Sequence, residues 1–342
     1  MRRIAATQGL AVAGLLLLAP GPDVRGQTPE IRPTIVVHGG AGSFTRANTD
    51  SEAAGEIHAS VGRALEAGMT VLDAGGSSLD AVEAAIRMLE DDPRFNAGKG
   101  AVFAHEARNE LDASIMDGAT RRAGAVAGVT HVKNPISLAR LVMEETRHVL
   151  LAREGAEEFA IEQGVELVSP DYFFTPGAWE GLMRARENER AAAEATSTAP
   201  STDEHYGTVG VLALDREGRL AAGTSTGGLT NKRWGRIGDS PLIGAGTWAD
   251  ERCAVSATGT GEFFIRNAVA YDICARVRYL DVSLAEAAET VIMDVLVEQG
   301  GDGGVIALDS RGNVSMPFNT GGMARGVLRS GGEPETWIFV DR

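Results

Sequence analysis

A chain of 342 residues with 44% hydrophobic and 23% charged residues can bury a sizeable core and is not disordered as a whole. Its net charge of −15 lacks the basic patch that nucleic acid or an anionic membrane would need, so neither is expected as a partner. The two cysteines, Cys253 and Cys274, have no zinc spacing with histidine; they can form one disulfide or stand as free buried thiols.

In chain order, Met1-Arg2-Arg3 and the short apolar run Leu10–Ala19 read as a secretory signal over 1–26, too short to span a bilayer. An exported, periplasmic protein is expected. Thr34–Gly42 is a β-branched run ending in a glycine loop, without the lysine or spacing of a phosphate cradle. Ser51 to Leu65 is amphipathic. Ser77-x-x-Asp80 is a capping box opening a helix over Leu79–Glu90, which Pro93 stops. Glu110–Met116 and Gly124–Val129 read as strands, Pro135–Met143 and Gly155–Gly164 as helices. From about 177 to 207 the chain is polar and Ala/Ser/Thr-rich at its end, which reads as an exposed linker.

Behind that linker stands Gly207-Thr208, and Val209–Leu214 follows as a buried strand. Taken alone, a threonine opening a strand is an ordinary feature. If the Gly207–Thr208 bond were cut, however, Thr208 would carry both a hydroxyl nucleophile and a free α-amine. Such an amine titrates near about 7.7–8.0 and can serve as the base for its own hydroxyl. Glycine at 207 tolerates a strained scissile peptide.

The chain then repeats itself. Gly210–Leu229 aligns without a gap on Gly304–Met323, with nine identical positions, and each copy reads as a hairpin. The helices expected between them are Phe263–Arg278 and Leu284–Gln299. Such hairpins point to an antiparallel sheet in a layered α/β architecture, not a parallel dinucleotide-binding one. Further on, Thr224–Gly228 puts hydroxyls at a strand end. Arg236 can bind a carboxylate through two bonds and Asp239 can receive an ammonium, a pair suited to an α-amino acid. Singly, each would be an ordinary ion pair.

Together these stretches resemble the plant-type L-asparaginase/isoaspartyl peptidase family of N-terminal-nucleophile (Ntn) hydrolases. The likeness rests on HGGAG at 38–42, FNAG at 95–98, ELDASIMDG at 110–118, AGAVAGV at 123–129 and GTVG at 207–210. It continues through TSTGGLTNK at 224–232, GRIGDSPLIGAG at 235–246, TGTGE at 258–262 and NTGGMARG at 319–326. The resemblance implies an αββα four-layer sandwich, one globular domain made of two chains after autocleavage: an α subunit over 27–207 and a β subunit over 208–342, assembled as (αβ)2. It implies that Thr208 attacks L-asparagine or a β-aspartyl dipeptide, with Thr226 orienting it and Thr258 and Gly259 forming the oxyanion hole. Arg236, Asp239, Gly259 and Gly261 would bind substrate; Asn96, Gly39 and Gly40 would support the site. No catalytic cofactor is implied. A structural sodium ion would sit on backbone carbonyls at Leu89, Glu90, Asp92, Phe95, Ala97 and Lys99. The bulky Arg233-Trp234 departs from the family and is expected to reshape the substrate mouth. Glycosylasparaginase, which shares fold and nucleophile, is the alternative within enzymes, and an unprocessed amino-acid-binding protein is the alternative outside them.

Overall fold

The computed structural model describes residues 31–42, 44–47, 49–195 and 207–340. The signal segment and the linker stretch 196–206 lie outside the described residues. The strands are β1 (Thr34–Gly42), β2 (Leu111–Asp117), β3 (Ala123–Val129), β4 (Leu150–Ala152), β5 (Val209–Leu214) and β6 (Leu220–Thr226). They continue with β7 (Thr247–Ala249), β8 (Cys253–Gly259), β9 (Gly303–Asp309), β10 (Val314–Ser315), β11 (Gly322–Arg329) and β12 (Glu335–Phe339). Eight form a sheet in the order β12-β11-β1-β5-β6-β2-β3-β4 and four form another, β10-β9-β8-β7. Pairing is antiparallel except between β3 and β4.

Side chains alternate across a strand, and here both faces of each sheet are covered. Ile35, Val37, Ala113, Ile115, Val209 and Val211 pack into one cluster with α1 (Ser51–Asp73), α2 (Ser78–Glu90) and α3 (Pro135–Glu145). Their neighbours Val36, Leu212, Leu214 and Ala222 point the other way and meet Ala254, Ile306 and Leu308 of the smaller sheet. That sheet's far face, with Val255, Ala257, Val305 and Ala307, forms a third cluster with the helices after β8. Double coverage explains why these strands read as continuous apolar runs.

The Ser77 capping box forms as expected, Ser77 Oγ accepting from the Asp80 amide at 3.2 Å and Asp80 Oδ2 from the Ser77 amide at 3.1 Å. The short helix α4 (Arg153–Glu162) also falls where it was expected. The expected linker is corrected at its start: α5 (Pro176–Ala195) is a helix whose Ala178, Trp179 and Leu182 pack on Phe103. Its remaining Ala, Glu and Arg residues are good helix formers.

The expected Phe263–Arg278 helix is broken in two, α6 (Gly261–Asn267) and α7 (Val269–Tyr279), with Ala268 left-handed between them at φ 47°. The amides of Ala270 and Tyr271 donate instead to the carbonyls of Ala245 and Gly244, at 3.1 and 2.9 Å. The last helical stretch comprises α8 (Leu284–Glu289), a π-helical turn at Thr290–Val295 and α9 (Leu296–Glu298). Cys253 on β8 and Cys274 on α7 form a disulfide, fixing the choice left open by the sequence.

Candidate active site

The layer between the sheets is apolar at its centre and turns polar at one end. Register explains why. In β5 and β6, Leu212 and Ala222 face the smaller sheet, so Gly210, Thr208, Thr224 and Thr226 face it too, while Ser256 and Thr258 on β8, beside Ala254, face back towards them from the smaller sheet. His38 joins them from the Val36 face of β1.

Thr208 Oγ1 lies 2.9 Å from Thr226 Oγ1 and donates to it. Thr226 Oγ1 also accepts the Gly228 amide at 3.0 Å, so it serves Thr208 as an acceptor. Thr258 Oγ1 accepts the Ala41 amide at 3.2 Å, which leaves its own O–H free to point at another oxygen. A methyl group built on Gly207 would lie 2.9 Å from that same Oγ1. Gly40, at φ +105°, packs its backbone directly on Gly207: a Cβ there would fall 2.3 Å from the Gly207 nitrogen. Thus Gly40, Gly207, Thr208, Thr226 and Thr258 meet at one point.

Two expected supports sit around it. The Asn96 side chain donates to the Gly228 carbonyl at 2.7 Å and accepts from the Val102 amide at 3.0 Å, holding the end of β6. Gly39 leaves room for the buried Phe95 ring, which a Cβ would meet at 2.4 Å. The 89–99 loop therefore touches both the glycine loop and the end of β6. Lys232, buried beneath it, donates to the carbonyls of Glu110 and Gly227 at 3.0 and 2.9 Å and anchors the chain that follows β6. Burial lowers the Lys232 pKa, while Asp112 and Glu110 oppose the shift.

Arg236, Asp239 and Gly261 also come together, since a Cβ on Gly261 would sit 2.7 Å from Asp239 Oδ1 and 2.9 Å from Arg236 Nη2. Burial pushes the Asp239 carboxyl up to about 7, with Arg236 pulling it down, and its Oδ2 has no hydrogen-bond partner among the described residues. Unpartnered buried oxygens are costly, and an incoming ammonium would satisfy this one. The Arg236 guanidinium is gripped by Glu262 through Nε and Nη2, both at 2.9 Å. Sequence reasoning gave Glu262 no role; a Glu opening a helix offers no signal that it reaches back across 26 residues.

His38 was read only as part of the glycine-loop motif. It is fully buried, and burial holds its imidazole down at about 3, neutral at any working pH. The Thr208 backbone beside it favours the cation slightly, but Nδ1 makes no well-formed hydrogen bond, so burial wins. Its Nε2 meets Ser256 Oγ at 3.0 Å, and the chain of hydroxyls continues through Thr224 (2.7 Å) to Thr247 (2.5 Å) and Ser114 (2.8 Å). This buried network ties β1, β2, β6, β7 and β8 together behind the threonines.

The carbonyls of Leu89, Asp92, Phe95 and Ala97 each accept one loop amide, at 3.3, 3.3, 2.8 and 3.1 Å. Each retains a second lone pair. Gly98 and Gly100 close the coil against the Glu90 and Phe95 oxygens. Neutral carbonyl oxygens are ligands of the kind hard cations take. The Glu90 carboxyl faces elsewhere: burial pushes it up to about 8, and Oε1 accepts from Ser225 Oγ at 2.7 Å and the Ile136 amide at 3.1 Å. The Trp234 side chain is 93% exposed, at a turn closed by the Arg236 amide on the Arg233 carbonyl (3.0 Å).

Comparison with known proteins agrees with this arrangement. A family model described as asparaginase matches residues 31–338. The chain is 49% identical to an isoaspartyl peptidase of Salmonella typhimurium, over 90% of this chain and 99% of that protein. It is 48% identical to an isoaspartyl peptidase of Escherichia coli, over 91% and 97%. A plant-type L-asparaginase of Pyrococcus abyssi is 42% identical over 89% of this chain and 99% of its own length.

Proposed function

The chain belongs to the asparaginase family, and on that premise we propose that it hydrolyses isoaspartyl dipeptides and L-asparagine, releasing L-aspartate, with Thr208 as an N-terminal nucleophile. The observation that carries the reading is the meeting of Thr208 Oγ1 with Thr226 Oγ1 at 2.9 Å, beside Thr258 and against Gly207. Relatives named isoaspartyl peptidase, at 48% and 49% identity, favour this substrate class over a glycosylated asparagine.

Maturation begins when Thr208 Oγ1 attacks the Gly207 carbonyl and the Gly207–Thr208 C–N bond breaks, the hydroxyl proton passing to the departing nitrogen; water then hydrolyses the ester, leaving a carboxylate on Gly207 and a free amine and hydroxyl on Thr208. In turnover the hydroxyl attacks the substrate's side-chain carbonyl and passes its proton to that amine. The Thr258 hydroxyl and Gly259 amide take the oxyanion. The proton moves on to the departing ammonia or amine, and water cleaves the acyl-threonine ester to release aspartate. Asp239 binds the α-ammonium. Glu262 holds the Nε side of Arg236, leaving the Nη1–Nη2 edge for the α-carboxylate. Trp234, exposed at the corner of the turn ending in Arg236, would border the mouth through which the leaving group departs.

The three apolar clusters support the αββα arrangement. The carbonyls at Leu89, Glu90, Asp92, Phe95, Ala97 and Lys99 would hold a sodium ion whose charge stiffens the loop carrying Asn96. The Cys253–Cys274 disulfide supports export to an oxidising compartment; the 1–26 signal rests on its charged start and short apolar run, and the (αβ)2 assembly on the family resemblance.

Incubation with L-asparagine, β-Asp-Leu and a glycosylated asparagine, with aspartate and ammonia measured, tests the reading. Turnover of the first two is expected, and Thr208→Ala should remain one chain and lose about 10⁴-fold or more in kcat. Retained turnover in that variant would remove Thr208 from its role.

A further inference from the structure

The motif Asn319-Thr320-Gly321-Gly322 has no part in the chemistry above, yet Asn319 makes contacts that end at the oxyanion hole. Gly259 closes β8 at φ +151° and pairs in register with Gly303, at φ +147°. The two backbones touch with nothing between them. A Cβ on Gly259 would lie 2.3 Å from the Asp302 carbonyl oxygen and 2.7 Å from Gly303 Cα; one on Gly303 would lie 2.4 Å from the Thr258 oxygen. Where residues 302–303 go, the Gly259 amide must go too.

Asn319 decides where they go. Its Oδ1 accepts the Gly303 amide at 2.8 Å, and its own amide donates to the Gly303 carbonyl at 2.9 Å. Its Nδ2 donates to the carbonyls of Gly301 and Ile292, each at 3.1 Å, the latter in the π-helical turn. From the opposite side Thr260 donates its amide to the Asp302 oxygen at 3.1 Å and its hydroxyl to Asp302 Oδ1 at 2.5 Å. The 301–303 segment is thus clamped from both sides, and Asn319 ties it to the helix behind. One acceptor and two donors on a short side chain are all used. Aspartate would keep the acceptor and lose both donors; leucine would keep the shape and lose everything.

We propose that Asn319 is a positioning residue for the oxyanion hole: through Gly303 it fixes the Gly259 amide at the distance the tetrahedral intermediate requires. This rests on the reading of Gly259 as an oxyanion donor. Donors there act within roughly 2.7–3.1 Å of the developing charge, so a slack of a few tenths of an ångström is felt in the chemical step. The substrate's charged ends fall to Arg236 and Asp239, which hang from a different loop, although Gly261 and Glu262 pack against them from the helix after Gly259.

The test is steady-state kinetics of matured Asn319→Leu and Asn319→Asp on L-asparagine. Ile273→Val, a truncation in the core cluster that holds Ile292, is the stability control. Asn319→Leu should lose about 10–100-fold in kcat with KM within about twofold, Asn319→Asp should fall between it and wild type, and Ile273→Val should lower Tm with kcat kept. A kcat no lower than the control's, or a rise in KM with kcat kept, overturns the proposal. If Asn319→Leu gives no folded protein, the Asp variant decides on the same terms. Wild-type protein inactive on asparagine and β-Asp-Leu would overturn the proposed function and this inference together; active wild type with unaffected variants overturns the inference alone.

Discussion

The two copies of the repeated hairpin, Gly210–Leu229 and Gly304–Met323, share nine residues and do different things. Their shared residues build the same turn. Gly218 and Gly312 have φ of 78° and 83°, and Asp215 and Asp309 each accept two amides across it. Beyond the turn they part. The first copy continues as the seven-residue β6 and delivers Thr226 to Thr208. The second is interrupted after the two residues of β10, at Met316-Pro317, because proline cannot donate to a ladder, and resumes only as a bridge between Gly304 and Phe318. The chain then crosses into the larger sheet as β11, and the Thr320 hydroxyl only caps the Gly322 carbonyl at 3.0 Å. Even the preceding pairs correspond, Gly207-Thr208 with Gly301-Asp302. One pair carries the proposed nucleophile; the other supports the proposed oxyanion loop. Homologous hairpins thus end on opposite walls of one site, and identity of the repeat marks turn geometry, not chemistry.

After the loss of Thr208 itself, breaking the proposed oxyanion wall should have the largest effect. Thr258→Val removes the hydroxyl but keeps the shape, and kcat on L-asparagine should fall by about 10²–10³-fold with KM little changed. Arg236→Lys tests the substrate wall. With one edge of the fork held by Glu262, a point charge cannot serve both carboxylates, and KM should rise by about 10–100-fold, the worth of a charge-assisted bond of about 1.5–3 kcal/mol.

Asp239 adds a pH dependence whose sign follows from burial. Its carboxyl sits at about 7, so it is largely ionised above that pH and protonated below. KM should rise as pH falls from 8 to 6, and Asp239→Asn should show a high KM without that slope. The folded state also keeps this proton longer than the unfolded chain does, so the group costs stability progressively as pH rises from the ordinary carboxylate range to about 7. Asp239→Asn should therefore raise Tm more at pH 8 than at pH 5. The smallest effect belongs to the second hairpin: Thr320→Val should leave kcat and KM within about twofold of wild type. A loss of about 10-fold or more in kcat would mean the copies are functionally alike.

Much of this was legible in the sequence. Doubly covered strands leave continuous apolar runs, so β1, β2, β3 and β5 stand out, and Ser77 and Asp80 announce α2 by local hydrogen bonding alone. The threonines and Arg236 were recognisable because their chemistry and order match the family, and the structure brings Thr208, Thr226, Thr258 and Gly40 together. What sequence hid were choices made by distant partners. Ala268 is left-handed because the amides after it are claimed by Gly244 and Ala245, with no glycine or proline to signal the break. The α5 helix was hidden in a polar run because its few apolar contacts fall on Phe103, far back in the chain. Glu262 on Arg236, His38 behind Thr208 and Asn319 behind Gly259 are likewise long-range contacts that no local pattern encodes.

The proposed chemistry needs a backbone cut that turns Thr208 into its own base. N-terminal sequencing of the purified, active protein addresses this directly. A chain beginning Thr-Val-Gly-Val-Leu is predicted, in equal amount with the chain that ends at Gly207. Full activity in protein whose Gly207–Thr208 bond is intact would contradict it.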